Sequence, residues 1–397
     1  MEPSAPNQVS DSSSDGPLAL VLGGGGARAA YQAGFLRGLG ERLPNLETPI
    51  LTGVSAGAIN ATYLAAAEGN FRERTENLCQ LWGSIDIDDV LDTRPYELLR
   101  IACGWGLRLV SGGRLGRKRR QGFVDTTPLR QTLMSGLTPL PDGSLPGVTR
   151  RIADGSLHAL AVTGSSYTSK KSVTWVQGSQ IHDWERPTRR SVATSILVDH
   201  VMASAALPFL FPPVRVNNAW FGDGGIRLTA PLAPAVHLGA GRLLALSTRF
   251  GGDDEASVTS DPSAEVGDDP PPAQIGGTLL GAIFLDQVDQ DALNMARLND
   301  LIHRLPPDNR NGLRPVDLAV VRPSRDLGKL AGEFEARLPK GLRFLTRGWG
   351  TRESRSSDLL SLLMFQPDYL GRLVELGRSD AERQGSELEA FLLGERG

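Results

Sequence analysis

The sequence contains few cysteines and no long apolar run. Its 397 residues include two cysteines, Cys79 and Cys103, which are too few for a disulfide framework or a cysteine-rich zinc site. Such scarcity is typical of proteins in a reducing compartment. No stretch approaches the run of about eighteen apolar residues that a membrane-spanning helix requires. These absences favour a cytoplasmic protein that is soluble or, at most, peripheral at a membrane.

The chain also lacks a strong charge imbalance and an apolar leader. Its 42 basic and 45 acidic residues give a formal net charge of −3, which argues against a protein that coats nucleic acid. Residues 1–16 are rich in Ser, Asp and Pro, and they lack the basic start and apolar centre of a signal peptide. We expect this segment to be a disordered tail.

Apolar segments alternate with helix-favouring segments near the N-terminus. Leu18–Leu22 is continuously apolar, as expected for a buried parallel strand, and residues 30–42 have the composition of a helix. Residues 50–53 predict a second strand, and another helix-favouring segment follows it. This β-α-β-α order is the signature of a parallel α/β sheet.

A serine lies between two glycines where the second predicted strand ends. Gly53, Ser55 and Gly57 form the pattern G-x-S-x-G. A sharp strand-to-helix turn raises the serine hydroxyl above the strand end, and only glycine fits where a Cβ atom on either side would clash. The N-terminus of the following helix would favour developing negative charge. The pattern predicts a nucleophile elbow, although it also arises by chance in a chain with 46 glycines.

The first predicted strand runs into a glycine-rich loop with two interpretations. In one, residues 24–26 present backbone N–H groups at a helix N-terminus and form an oxyanion hole. In the other, Gly24, Gly26 and Ala29 fit the dinucleotide pattern G-x-G-x-x-G/A. That pattern requires an acidic residue at the end of the next strand, whereas Glu47 precedes this strand and a nucleophile turn follows it. The residue order favours the oxyanion hole.

The nucleophile needs a base, and Asp223 is one candidate. Residues 191–206 have the small-residue composition of a tightly packed helix, and residues 214–220 predict a hairpin that leads to Gly222-Asp223-Gly224-Gly225. A carboxylate on such a turn acts as a base when burial raises its pKa. The same four residues are also ordinary turn composition.

Histidine is the other candidate for the base. None of the histidines lies in a local motif, so the residues alone leave open a Ser-Asp-His triad that would use His237 or His303. The sequence has five histidines: His158, His182, His200, His237 and His303.

A basic segment interrupts the middle of the chain. From Arg108 to Arg120 it carries six basic residues, with Trp105, Leu107 and other apolar residues around them. Most basic runs are solvated loops. The interleaved apolar side chains allow a second interpretation, in which the segment contacts anionic lipid head groups.

Taken together, three of these elements resemble the patatin-like phospholipase family. The segment from Ala203 to Pro208, with Phe211-Pro212-Pro213-Val214, is similar to that family's approach to its catalytic aspartate. The residues that carry the resemblance are Gly24-Gly25-Gly26-Ala27-Arg28, Gly53-Val54-Ser55-Ala56-Gly57 and Asp223-Gly224-Gly225.

The resemblance implies a serine lipid acyl hydrolase of the phospholipase A or lysophospholipase type, acting on phospholipids or other lipid esters. It implies a Ser-Asp dyad, with Ser55 as nucleophile and Asp223 as base, and neither a metal nor a cofactor. The family usually has glycine where this chain has Ala29. The remaining implied roles are an oxyanion hole at Gly24, Gly25 and Gly26 with Arg28 fixing the loop, an elbow shaped by Gly53 and Gly57, and a proton-acceptor turn at Gly224 and Gly225.

The resemblance also implies a three-layer α/β/α fold with a mainly parallel central sheet and added C-terminal helices. We predict a patatin-like catalytic domain over residues 17–250 and a disordered acidic loop over residues 251–273. Residues 274–397 would form a helical part packed on the catalytic domain, with one added strand. A catalytically inactive binding protein and a nucleotide-binding regulator stay open as alternatives, as do the oligomeric state and the lipid head group.

Overall fold

The computed structural model describes residues 16–91, 124–208, 210–251, 279, 281–283, 287–338 and 358–394. Three predicted features lie outside these residues: nearly all of the N-terminal tail, the whole basic segment from Arg108 to Arg120, and the acidic loop except for residue 251.

A single mixed sheet forms the centre of the fold. Within the described residues it has ten strands: β1 Leu18–Leu22, β2 Ile50–Val54, β3 Ala159–Ser166, β4 Ser172–Gly178, β5 Glu185–Arg186, β6 Arg189–Ala193, β7 Val214–Val216, β8 Ala219–Asp223, β9 Arg242–Leu246 and β10 Asp317–Val321.

The sheet is mainly parallel, and its register brings several loops to one edge. The strand order is β10-β9-β1-β2-β3-β4-β6-β5, with β8 paired to β3 and β7 paired to β8. Strands β10, β9, β1, β2 and β3 are parallel, whereas β8 is antiparallel to β3. Because Leu22 pairs with Gly53, the loops after β1 and β2 leave the sheet side by side.

Helices cover both faces of this sheet. Within the described residues they are α1 Ala29–Arg42, α2 Ala56–Ala66, α3 Phe71–Ser84, α4 Thr127–Leu137, α5 Pro146–Ala153, α6 Val198–Ser204, α7 Ala233–His237, α8 Gln287–Arg304, α9 Leu327–Gly332, α10 Asp358–Leu363 and α11 Pro367–Leu393.

Alternate residues of the central strands supply two hydrophobic cores. Leu20 of β1 belongs to the core that includes Phe35 of α1 and Leu64 of α2. Its neighbour Val21 faces the other core, which includes Ala235 of α7. This alternation follows from the two-residue period of a strand, and it confirms the predicted three-layer α/β/α fold with C-terminal helices.

The prediction of one helix over residues 191–206 is wrong in its first part. Arg189–Ala193 forms β6, which pairs in parallel with β4, and the helix is limited to Val198–Ser204. The strand is stabilised by contacts outside its own segment. Besides the pairing with β4, the Ser191 hydroxyl accepts a hydrogen bond from the Trp184 N–H and donates one to Asp183. Such contacts override the local preference of small residues.

The C-terminal helix α11 packs closely on α1. A Cβ atom on Gly377 would lie 2.2 Å from the carbonyl oxygen of Tyr31, so glycine allows the two backbones to approach. The buried carboxylate of Asp380 accepts hydrogen bonds from the Tyr31 hydroxyl at 3.0 Å and the Ser324 N–H at 2.9 Å, and it pairs with Arg383.

The division of the chain at residues 250 and 274 stays a prediction. None of the described helices combines the length and apolar character needed to span a membrane.

Two glycines of α11 give a matched test of this packing. We expect Gly377→Ala to lower the free energy of unfolding by about 1–3 kcal/mol, because the methyl group forces the helices apart. At Gly371, in the same helix, an added Cβ has no described atom outside the helix's own backbone within 4 Å, and Gly371→Ala should stabilise by up to about 1 kcal/mol. Urea denaturation of both variants measures the difference, and equal effects would contradict the packing account.

Candidate active site

The predicted elbow at Ser55 is a tight turn between β2 and α2. Ser55 has φ 55° and ψ −131°, a conformation that costs a non-glycine residue about 1–3 kcal/mol. A Cβ atom on Gly53 would lie 2.4 Å from the Gly57 carbonyl oxygen, and one on Gly57 would lie 2.2 Å from that of Leu22. Both elbow glycines are therefore required by the close approach of α2 to the strand ends.

The structure brings Ser55 and Asp223 into contact. The Ser55 hydroxyl donates a hydrogen bond to Oδ2 of Asp223 at 2.6 Å, across 168 positions of sequence. The sheet register explains the meeting, because Val54 of β2 pairs with Thr163 of β3 and the next residue, Gly164, pairs with Asp223 of β8. The hairpin of β7 and β8 thus delivers the carboxylate to the edge where the elbow lies.

Burial sets the electrostatics of Asp223. Its side chain is fully buried, and Oδ1 accepts a hydrogen bond from the Gly225 N–H at 2.9 Å. Burial raises the pKa of Asp223 to about 7, while the hydrogen bonds from Ser55 and Gly225 act in the opposite direction. A carboxylate that titrates near neutral pH can accept the proton of an attacking hydroxyl group.

The predicted proton-acceptor turn requires glycine at position 224. A Cβ atom on Gly224 would lie 2.1 Å from the Thr163 carbonyl oxygen. The Gly225 carbonyl group accepts a hydrogen bond from the Gln287 side chain at 2.8 Å. The turn is therefore fixed by β3 on one side and by the start of α8 on the other.

The glycine loop lies beside the elbow in an unusual backbone conformation. Gly25 has φ 153° and Gly26 has φ 53°, values that favour glycine. Among the described residues, no hydrogen bond has an N–H group of residues 24–26 as its donor. Gly26 and Ser55 line the same pocket, so Gly26 lies on the side of the fold where the hydroxyl group is.

Arg28 attaches this loop to the C-terminal part of the chain. Its buried guanidinium group donates hydrogen bonds to the Ser361 hydroxyl at 2.6 Å and to the Asp358 carboxylate at 2.5 Å, both in α10. It also reaches the Thr248 carbonyl oxygen at 3.5 Å. Ala29, which replaces the family's usual glycine, has φ −65° and ψ −14°, an ordinary helical conformation that a methyl group tolerates.

No histidine is a hydrogen-bond partner of Ser55 or Asp223, and all five lie among the described residues. The ring of His237 stacks on Trp184 with 4.8 Å between centroids. The exposed His303 bonds through Nδ1 to the carbonyl oxygen of Asn299. These positions argue against a triad through either residue.

Ser204 is a site residue that the sequence reasoning missed. Its hydroxyl accepts a hydrogen bond from the Ser55 N–H at 3.0 Å and donates one to the Thr163 carbonyl group at 2.6 Å. The elbow backbone is thereby joined to β3. Ser204 lies within the segment that resembles the family, but a serine among small residues carries no signal of its own.

An apolar pocket opens at Ser55. Its described lining contains no charged side chain, and its cavity volume is about 40 Å³. The apolar lining suits contact with a hydrocarbon group. The described residues contain no cluster of three or more His, Cys, Asp or Glu side chains placed to bind a metal ion. The larger side chains that line the pocket are Ile59, Leu81, Trp82, Ile85, Val90, Leu129, Leu133, Leu207, Phe211 and Phe365.

Fold and site together define an α/β protein in which the hydroxyl group of a strand-to-helix serine contacts a buried carboxylate beside a glycine loop. The family model for patatin-like phospholipases matches residues 20–236, which is more than half of the chain. The chain therefore belongs to the patatin-like phospholipase family. No match was found among curated protein sequences.

Solved structures show more distant similarity. VipD from Legionella pneumophila is 14% identical over 91% of this chain and 67% of its own, with a TM-score of 0.38. Human GIVD cytosolic phospholipase A2, in complex with methyl gamma-linolenyl fluorophosphonate, is 12% identical over 96% of this chain and 59% of its own, with a TM-score of 0.45. The type III effector protein ExoU is 16% identical, over 96% of this chain and 76% of its own, with a TM-score of 0.26.

The catalytic roles of individual residues stay predictions.

The buried Asp223 carboxyl group predicts a pH-dependent stability change. Because its pKa is raised to about 7 in the folded chain, folding favours the protonated form, and stability falls as pH rises from about 4, the unfolded value, to about 7. Asp223→Asn removes the charge; its amide oxygen can still accept the hydrogen bond from the Gly225 N–H, while its amide nitrogen donates to the Ser55 hydroxyl oxygen instead of accepting from it. We expect its stability advantage over the wild type to grow by on the order of 4 kcal/mol across that range.

Denaturation of the two proteins at several pH values measures this difference. The matched control is Asp154→Asn, since Asp154 is exposed and its pKa is lowered by hydrogen bonds from Ser156, so no such gain is expected. A constant difference between wild type and Asp223→Asn from acid to neutral pH would contradict the prediction.

Proposed function

We propose that this protein is a serine lipid acyl hydrolase of the phospholipase A or lysophospholipase type, acting through a Ser55–Asp223 dyad. The observation that carries the proposal is the 2.6 Å hydrogen bond between the Ser55 hydroxyl and the buried carboxylate of Asp223. A nucleophile and a base within hydrogen-bond reach are the first requirement of covalent acyl transfer.

In the first half of the proposed reaction, Ser55 Oγ attacks the carbonyl carbon of the lipid ester, and its proton moves to Asp223 Oδ2. The carbonyl oxygen becomes negatively charged and accepts hydrogen bonds from the N–H groups of residues 24–26. The carbon–oxygen bond to the alcohol then breaks. The departing oxygen takes the proton from Asp223, leaving the acyl group on Ser55.

In the second half, a water molecule attacks the acyl-enzyme and gives one proton to Asp223. The intermediate collapses, the bond to Ser55 breaks, and Ser55 Oγ recovers that proton. The products are a free fatty acid and the unmodified enzyme. Every proton in the two halves passes between the substrate, the water molecule, Ser55 and Asp223, so the proposed chemistry requires no histidine.

The apolar pocket supports a lipid acyl chain as the substrate group next to Ser55. Its larger lining side chains include Trp82, Leu133 and Phe365. These three side chains are uncharged, so they favour an apolar acyl chain over a charged one.

On sequence grounds we further propose that the basic segment from Arg108 to Arg120 contacts anionic head groups.

Substitution at the two dyad positions tests the proposal directly. We expect Ser55→Ala and Asp223→Asn each to lower kcat for hydrolysis of a phospholipid mixture by about a thousandfold or more, since nucleophile and base act as a unit. Mass spectrometry of the released fatty acids and lysolipids provides the measurement.

The chain offers a matched control pair in Ser144→Ala and Asp142→Asn. The Ser144 hydroxyl donates a hydrogen bond to the exposed carboxylate of Asp142 at 2.6 Å, away from the pocket, and both variants should keep wild-type turnover. Near-normal hydrolysis by folded Asp223→Asn would refute the dyad, and a folded wild type without hydrolysis would favour an inactive binding protein.

The pH dependence of kcat/KM is a second test of the base. The dyad needs the Asp223 carboxylate, so kcat/KM should rise with pH and level off above about 7, following the raised pKa of Asp223. Initial rates with a neutral, soluble aryl ester measure the profile without changes in lipid packing. A profile that is flat through neutral pH, or that falls as pH rises, would contradict this role.

A further inference from the structure

We propose that Gln32 and Thr248 are positioning residues for the oxyanion hole. They act by donating hydrogen bonds to carbonyl oxygens of the glycine loop, which fixes the orientation of its peptide groups. This inference rests on the proposed function, because it concerns how the N–H groups of residues 24–26 are aimed. Neither residue belongs to the motifs that carry the family resemblance.

Both side chains bind carbonyl oxygens of the loop. The Gln32 side-chain amide donates to the Gly23 carbonyl oxygen at 2.9 Å, and the Thr248 hydroxyl donates to that of Gly24 at 2.8 Å. In a planar trans peptide the C=O and the following N–H point in opposite directions. The hydrogen bond to the Gly23 carbonyl oxygen therefore directs the Gly24 N–H away from Gln32. In the same way, the hydrogen bond to the Gly24 carbonyl oxygen directs the Gly25 N–H away from Thr248.

The third peptide of the loop is held by the backbone. The carbonyl oxygen of Gly25 accepts a hydrogen bond from the Arg28 N–H at 3.0 Å, which turns the N–H of Gly26 to the opposite side. All three candidate oxyanion donors thus belong to peptides whose carbonyl oxygen is already engaged. Glycine peptides rotate easily, so these three contacts supply the preorganisation that an oxyanion hole needs.

A buried chain of amides fixes the orientation of Gln32. The Trp82 indole can only donate, and it bonds to Oδ1 of Asn60 at 2.7 Å. The amide nitrogen of Asn60 must then point away from Trp82, and it donates a hydrogen bond to Oε1 of Gln32 at 3.0 Å. This leaves the nitrogen of Gln32 to bond the carbonyl oxygens of Gly23 and Leu246. Gln32 and Asn60 are fully buried, so water does not compete for these groups.

Thr248 supplies an independent contact. It lies beyond the end of β9, and a Cβ atom on Gly25 would be 2.5 Å from its hydroxyl oxygen. The side chain is buried and lies against the loop backbone. The loop is thus held by α1 through Gln32 and by the segment after β9 through Thr248.

The experiment compares Thr248→Val, which keeps the shape and removes the donor, with Thr248→Ser, which keeps the donor. Rates with a soluble aryl ester give kcat and KM. Binding of an alkyl trifluoromethyl ketone reports the oxyanion itself, because Ser55 adds to its carbonyl carbon, the proton moves to Asp223, and the oxygen becomes negatively charged.

We expect Thr248→Val to lower kcat by about 10- to 100-fold, with KM changed by less than about twofold. Ketone affinity should fall by a similar factor to kcat/KM, whereas Thr248→Ser should restore both. Gln32→Met, which removes the other contact at similar volume, should show the same pattern, and it serves as the test if Thr248→Val does not fold.

The control for a merely structural effect is Thr75→Val, which removes a buried hydroxyl that donates to the Phe71 carbonyl group in α3. If Thr248→Val and Gln32→Met keep wild-type kcat and ketone affinity, or lose no more of either than Thr75→Val, the inference is overturned while the proposed function stands. If the wild type neither hydrolyses the ester nor binds the ketone, both are overturned.

Discussion

The site depends on one contact, the hydrogen bond between the hydroxyl group of Ser55 and the carboxylate of Asp223. Neither residue could reach the other without the register of three strands, in which β2 pairs with β3 and β3 pairs with β8. Ser204 adds a second connection between the elbow and β3. The contact is therefore a property of the sheet, and a shift of one residue in either pairing would remove it.

The same contact is maintained against local free-energy costs. Ser55 has a positive φ, and the Asp223 carboxyl group is completely buried. None of the described residues places a positive charge that shifts its pKa. Burial makes the carboxylate less stable in the fold, and for that reason it binds a proton near neutral pH. The free-energy costs of the strained Ser55 backbone and the dehydrated Asp223 carboxylate are offset by packing elsewhere. That packing includes the close contact of α11 with α1 and the hydrogen bond from Arg28 to α10.

The sequence predicted what depends on local chemistry. The buried strand β1, the turn at Ser55 and the hairpin before Asp223 each follow from a short pattern, and their order was enough to predict the family and the three-layer fold. What it missed depends on partners far along the chain. Strand β6 needs β4, Arg28 needs Asp358 and Ser361, and the chain from Trp82 through Asn60 to Gln32 joins three helices. No periodicity marks such residues, because their partners are fixed only once the helices pack.

The most direct measurement is the mass and site of the adduct formed with a long-chain fluorophosphonate. Its phosphorus atom is attacked by an activated serine oxygen as fluoride leaves, and its alkyl chain resembles the acyl chain of the proposed substrate. The account predicts one adduct per chain, located by peptide mapping on Ser55, and its loss in folded Asp223→Asn. An adduct on another serine, or no adduct on a folded wild-type chain, would contradict the claim that Asp223 activates Ser55.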